Sequence, residues 1–263
     1  MRWDAMSSPQ LAEAAAGGAI VVVPVGSVEQ HGPHLPVATD AWAAEHLVEA
    51  ALPKLPSGRR VVIAPVVRYG FSEDHAGFPG TLSIPARLLE ELLIEIGAGI
   101  IASGFDRILL VNGHGGNDRL LYYVVRLIRD RAPRPVALAG LTYWKLAAEQ
   151  LRSLRHSEPG GMGHACELET SLMLHFRPET VRMRHAVREV PVPYSGERGG
   201  DLLSSGAVVA PDRFHELTVS GVTGDPLVAS AEQGRLFAGA ISGRLAAFID
   251  EFASWPLRQG GRA

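Results

Sequence analysis

AIVVVPVGSVEQHGPHLPVATD, residues 19–40, runs from branched apolar residues into a polar segment that crowds Glu29, His31, His34 and Asp40. Unbroken apolarity over 19–25, with no alternation, suits a strand covered on both faces, as in a parallel sheet between helices. The pattern returns at 61–67 (VVIAPVV), 108–111 (ILLV) and 136–141 (VALAGL). Between these runs, 42–52, 85–102 and 117–131 carry apolar residues at three- and four-residue spacing, and a last helix is expected from about 230 to 252. Leu89, Leu92, Leu93, Ile96 and Ile100 form the clearest stripe. Strands alternating with helices predict a three-layer α/β/α sandwich with a mostly parallel central sheet, one domain over 1–263, with 255–263 as a frayed tail.

Composition narrows the function. Net charge is −3 and the basic residues are scattered, which argues against a nucleic-acid surface, because neutralising phosphates needs a basic face. No apolar run approaches the ~20 residues that span a bilayer. One cysteine, Cys166, leaves no internal disulfide, and MRWDAMSSPQL lacks a signal-peptide core, so a cytoplasmic protein is expected.

The first three strands are each followed by a polar, Gly-rich segment: GSVEQHG, RYGFSEDHAGFPGT and NGHGGN. Ligands of open α/β sheets sit beyond the carboxyl ends of the strands, so these segments are expected to converge. Glu29 and His31, two apart on an extended segment, point to one side. Asp40 opens a helical pattern, where it suits either an N-cap or a ligand position. His114 lies among glycines, and His34, beside Pro33, reads as a loop histidine. His and carboxylate donors without cysteine suit zinc, manganese or iron in an open site. In GHACELETSLML (163–174), His164 and Glu167 would stack if both were helical, with Glu169 pointing elsewhere; an ordinary acidic helix start is the alternative.

GSVEQHGPHLPVATD, FPGT, VNGHGGN and HACELETSLML resemble the signature blocks of the creatininase (creatinine amidohydrolase) family, over a span from Val21 to the ASAEQGR segment near Ser230. The resemblance implies a three-layer α/β fold, two divalent ions per chain (zinc first, manganese or iron as alternatives), and a homo-oligomer, with a hexamer favoured. Carried over, Glu29 and His114 bind one ion and His31 the other, with Asp40 bridging. Creatininases proper have a glutamate two residues after the motif histidine, where this chain has Gly116. Glu167 is the favoured substitute and Glu169 the second. His164 matches the catalytic histidine, with Glu167 beside it, while Trp144 and His75 are placed in the substrate pocket.

The activity implied is hydrolysis of a non-standard or cyclic amide in a small molecule. A water held between two ions, acidified toward neutrality, attacks, and His164 protonates the departing nitrogen. HAGFPGTLSI and VTGDPLVASAEQGR also resemble the branch that cleaves a short modified peptide in mycofactocin maturation, although HACELETS departs from it. A non-catalytic metal- or ligand-binding protein is the reading from another class. A phosphate loop at NGHGGN is disfavoured, because the segment lacks the P-loop lysine.

Overall fold

The computed structural model describes residues 1–191, 200–204, 206–208 and 211–260. The elements run α1 (Ser8–Ala16), β1 (Ile20–Val25), α2 (Thr39–Ala51), β2 (Val61–Ile63), α3 (Ala86–Ala102), β3 (Arg107–Asn112), α4 (Leu120–Arg131) and β4 (Ala137–Thr142). There follow α5 (Tyr143–Leu146), α6 (Ala148–Leu154), β5 (Met162–His164), α7 (Glu167–Phe176), α8 (Phe214–Leu217), β6 (Thr223–Gly224) and α9 (Ala231–Ala253). Strands pair in the order β2-β1-β3-β4, all parallel, with Val25 opposite Asn112 and Asn112 opposite Thr142.

Both faces of the sheet are covered, which is why its strands read as unbroken apolar runs. Val21, Val23, Ile108 and Leu110 pack with Leu89 and Leu93 of α3 and Val124 and Ile128 of α4. Ile20, Val22, Leu109 and Val111 pack with Val48 of α2 and Leu245, Ile249 and Phe252 of α9. A further core joins α5, α6, α7 and α9 through Trp144, Leu151, Leu172 and Phe237. The three-layer arrangement expected from the sequence is present.

Several local expectations change. β2 ends at Ile63, short of the expected 67, because Pro65 has no N–H to donate; the chain rejoins β1 at Val67, whose N–H donates to the Pro24 carbonyl. Leu92 on α3 is exposed while Leu89, Leu93 and Ile100 are buried, so the stripe is narrower than expected. Residues 255–260 do not fray: Arg258 exchanges two backbone hydrogen bonds with Val136, and Trp255 packs edge-on against Phe252. Residues 261–263 of the expected tail lie outside the described residues.

Candidate metal centre

β1, β3 and β4 end side by side, and the segments leaving β1 and β3 meet the first turn of α2 at Gly26 and Gly113. At Gly113, a Cβ would stand 2.6 Å from the Asp40 carbonyl oxygen, so a residue with a side chain could not let the β3 exit approach α2 so closely. Asp40 is the second residue of α2 and makes no N-cap bond, which removes the capping alternative. Its carboxylate instead faces the strand exits. Oδ1 lies 3.0 Å from His31 Nε2 and Oδ2 lies 3.1 Å from His114 Nδ1.

Glu29 joins from the other side. Its Oε2 lies 3.0 Å from His114 Nδ1 and accepts a 2.5 Å bond from Ser72 Oγ, while Oε1 lies 3.3 Å from His75 Nε2 and 3.7 Å from His164 Nδ1. His31, His114 and His164 each have one nitrogen committed to a backbone carbonyl. His31 Nδ1 donates to Glu29 O at 3.1 Å, His114 Nε2 to Phe71 O at 2.8 Å and His164 Nε2 to Gln30 O at 2.7 Å. These bonds fix the tautomers, turning His31 Nε2, His114 Nδ1 and His164 Nδ1 inward as lone-pair donors, the arrangement by which proteins orient metal-binding imidazoles.

Glu167 and Glu169 are placed differently from what the sequence suggested. Glu167 is fully buried, and its two oxygens accept from the backbone N–H groups of His156 and Ser157, each at 2.8 Å. It anchors a loop and belongs to none of the ligand groups among the described residues. Glu169 Oε1 lies 3.9 Å from His31 Nε2, and its Oε2 accepts from Cys166 N, closing a capping box at the start of α7. The cause is local geometry: α7 begins only at Glu167, after Ala165 adopts φ +51°, so His164 belongs to β5 and never stacks on the helix.

Gly116 completes this correction. A Cβ there would stand 2.5 Å from His114 Nε2 and closer still to the Phe71 carbonyl oxygen, the two atoms that make the His114-orienting bond. A glutamate at 116 is therefore incompatible with this loop, and the third carboxylate arrives from α7.

Among the described residues, Glu29, Asp40 and His114 bring one ligand atom each within 4.8 Å of one another, and so do His31, Asp40 and Glu169. Asp40 belongs to both groups. Glu29, His31 and His164 form a third. The electrostatics suit cations. Burial opposes ionisation of Glu29, but His114 and His75 more than offset it and hold the carboxyl at about 2. Burial likewise opposes the charge on Asp40, yet His31 and His114 keep it well below the usual carboxylate range. Burial disfavours a proton on His31, but Asp40 and Glu169 lift it to about 9; His114 is raised as well, by Glu29 and Asp40 against burial. Burial, reinforced by Asp40 and Glu29, pushes Glu169 up to about 7. Asp40 Oδ2 is buried without a hydrogen-bond partner among the described residues. Imidazolium protons thus hold this crowd of carboxylates together, a task that two divalent ions could take over at the same positions. The donor set fits them.

His75 lines the cavity and also braces the ligand set. Its Nδ1 accepts from Gln30 Nε2 at 3.0 Å and its Nε2 faces Glu29, so both nitrogens support the ligand set. Phe214 stacks on its ring at 3.9 Å and meets His164 edge-on at 4.9 Å. Trp144 is buried against Tyr143 and also lines the cavity above the site, about 690 Å³ in volume. His34, read as a loop histidine, is buried and bonded to Thr170 Oγ1 at 2.9 Å. Ser72, Gln30 and Phe214 were not anticipated, and a lone serine or phenylalanine in a loop carries no signal of such a role. The asparagines of NGHGGN act on the backbone: Asn112 clamps both sides of His114, and Asn117 ties Gly26 to Phe71.

The creatininase family model, described as creatinine amidohydrolase, matches residues 4–249. This chain belongs to the creatininase family. It is 37% identical over 245 residues to a mycofactocin precursor peptide peptidase from Mycolicibacterium smegmatis, covering 92% of this chain and 87% of the relative. Creatininase structures in a manganese form and a Zn–Zn mutant form share the fold, with TM-scores of 0.79 and 0.78 at 22% and 23% identity; each likeness covers 95% of this chain and 97% of the other. The chain is a creatininase-family hydrolase with a buried His/Glu/Asp cluster that fits a binuclear metal site. Among the described residues, no helix is long and apolar enough to cross a membrane.

Proposed function

We propose that this hydrolase cleaves an amide bond in a short modified peptide, such as a mycofactocin precursor peptide, with two divalent ions held by its buried ligand set. The observation that carries the chemistry is the sharing of Asp40 between two ligand groups at the base of one cavity. Glu29, Asp40 and His114 would hold one ion and His31, Asp40 and Glu169 the other. Zinc is the first candidate, with manganese or iron as alternatives. Two ions there supply Lewis-acid polarisation of the carbonyl and a water acidified toward neutrality.

The chain's own groups do the rest. Burial, with His31 and His75 close by, holds His164 well below the ordinary histidine value, so it enters the reaction neutral with Nδ1 free. It therefore takes a proton at Nδ1 before passing one to the departing nitrogen, a base that becomes the acid. The Gln30 carbonyl holds its other nitrogen throughout. Trp144 and Phe214 offer apolar walls to the substrate.

Two observations favour a peptide over a small cyclic amide: the 37% identity to a peptidase and a cavity of about 690 Å³. The resemblance to creatininases further supports a homo-oligomer, with a hexamer favoured; sedimentation showing only a 28.1 kDa monomer at micromolar concentration would exclude the oligomer. The test of function is to load the protein with zinc or manganese, offer a mycofactocin precursor peptide and creatinine separately, and read products by mass spectrometry. Peptide cleavage that outpaces creatinine opening is expected. Two bound ions without turnover of either would favour the non-catalytic reading.

A further inference from the structure

The charges around the cavity are uneven. Glu29, Asp40 and Glu169 belong to the ligand set, and Asp201 is taken by Arg155 at 2.8 Å. Asp74 and Asp212 line it too, and Asp74 lies in the field of the His114 ring and, more weakly, of Arg213. Among the described lining residues, one arginine or lysine is present, Arg119. It is exposed and has no hydrogen-bond or ion-pair partner among the described residues.

Nothing in the fold explains a cation there. The adjacent acid, Asp118, is committed to Lys145 at 2.5 Å and to Thr142 Oγ1 at 2.5 Å. Arg119 occupies the N-cap position of α4, where the helix dipole opposes a positive charge and where it makes no side-chain capping bond. A residue that breaks a local stability rule beside a site is a candidate for function. Arg119 also follows His114 by only five positions. Gly115 and Gly116 lie between them, and a side chain at 115 would meet only open space, so the approach along this loop is clear.

We propose that Arg119 binds a carboxylate of the substrate, terminal or side-chain, and so sets which amide bond lies over the ligand set. The proposal rests on the peptide reading above. A guanidinium offers a bidentate fork that matches a carboxylate, and a lysine cannot reproduce that geometry. Neutral cyclic amides have no such group, so Arg119 also separates the two substrate classes.

The test is a binding measurement that needs no turnover. Zinc-loaded protein is titrated calorimetrically with acetylated reduced-amide dipeptides, which have no scissile carbonyl, as free acid and as C-terminal amide. A second pair of amides carries aspartate or asparagine as its last residue. Wild type should prefer one acidic member over its neutral twin by about 10–100-fold, the range for a charge-assisted hydrogen bond. The pair showing this preference identifies the source of the carboxylate. In Arg119→Gln the preference should collapse toward one with binding of the neutral twin little changed, and Arg119→Lys should restore part of it. An acid preference that survives Arg119→Gln would assign the carboxylate to the bound ions and overturn the proposal, as would no preference in wild type. If an Arg119-dependent preference stands while no peptide is hydrolysed, the proposed reaction falls and this inference remains.

Discussion

Glu167→Gln and Glu169→Gln should part company, although the residues are two apart. Glu167 accepts from two backbone N–H groups at 2.8 Å each, in a fully buried position. Glutamine has one acceptor oxygen, so one donor, on His156 or Ser157, is left facing an NH2. A buried unsatisfied donor costs about 1–3 kcal/mol. At this chain length, about 2 kcal/mol lowers the melting temperature by roughly 4–8 °C. Metal content should stay at the wild-type level. Glu169→Gln should do the reverse: one of two ions is lost or weakened, while the metal-free protein gains stability. The sign follows from its carboxyl, which burial and the neighbouring Asp40 and Glu29 raise to about 7 in the folded state. A raised carboxyl contributes its full stability below the unfolded value near 4.5 and loses it as pH rises through 7. The metal-free Glu169→Gln protein should therefore exceed metal-free wild type in melting temperature at pH 8, and the gap should close by about pH 4.5. Differential scanning calorimetry with and without chelator, beside elemental analysis, reads both variants. A metal loss confined to Glu167→Gln would refute the assignment.

His164→Gln should keep both ions and lose about 10²–10⁴-fold in turnover, the span of general acid–base catalysis; a loss below tenfold would remove His164 from proton transfer. Because His164 is held well below 6.5, protonation disables it only in acid, so the acidic limb of kcat should lie below pH 6.5, and a limb above that value would contradict its neutral state. Gly116→Ala should destabilise the fold by about 1–3 kcal/mol, as overpacking does, and weaken the ion held by His114, because the new methyl strikes the Phe71 carbonyl and the His114 ring. An unshifted melting curve would show that the loop gives way.

The sheet was legible because burial on both faces leaves unbroken apolar runs, which residues 19–25 and 108–111 display plainly. Glu29, His31, Asp40, His114 and His164 stood out because charged residues had collected at the strand exits. What failed was orientation. Stacking His164 over Glu167 assumed a helix that had already begun, and the turn that prevents it rests on Ala165 in a left-handed conformation, for which alanine gives no warning. Cys166 and Glu169 close a capping box that folds Glu169 back over the helix start, where His31 lies, and a cysteine at the cap position falls outside the usual Ser/Thr pattern. β5 and β6 are too short and Gly-rich to show a period, and Ser72 acts through a contact made only after two loops fold together.

Asp40 is the residue proposed to join two ion sites. The most direct measurement is the ratio of bound zinc or manganese to chain, by elemental mass spectrometry, for wild type and Asp40→Ala after reloading, with circular dichroism confirming that both are folded. Asp40 belongs to both ligand groups, so wild type should hold two ions and Asp40→Ala should lose both. A folded Asp40→Ala protein that retains two ions per chain would contradict the account.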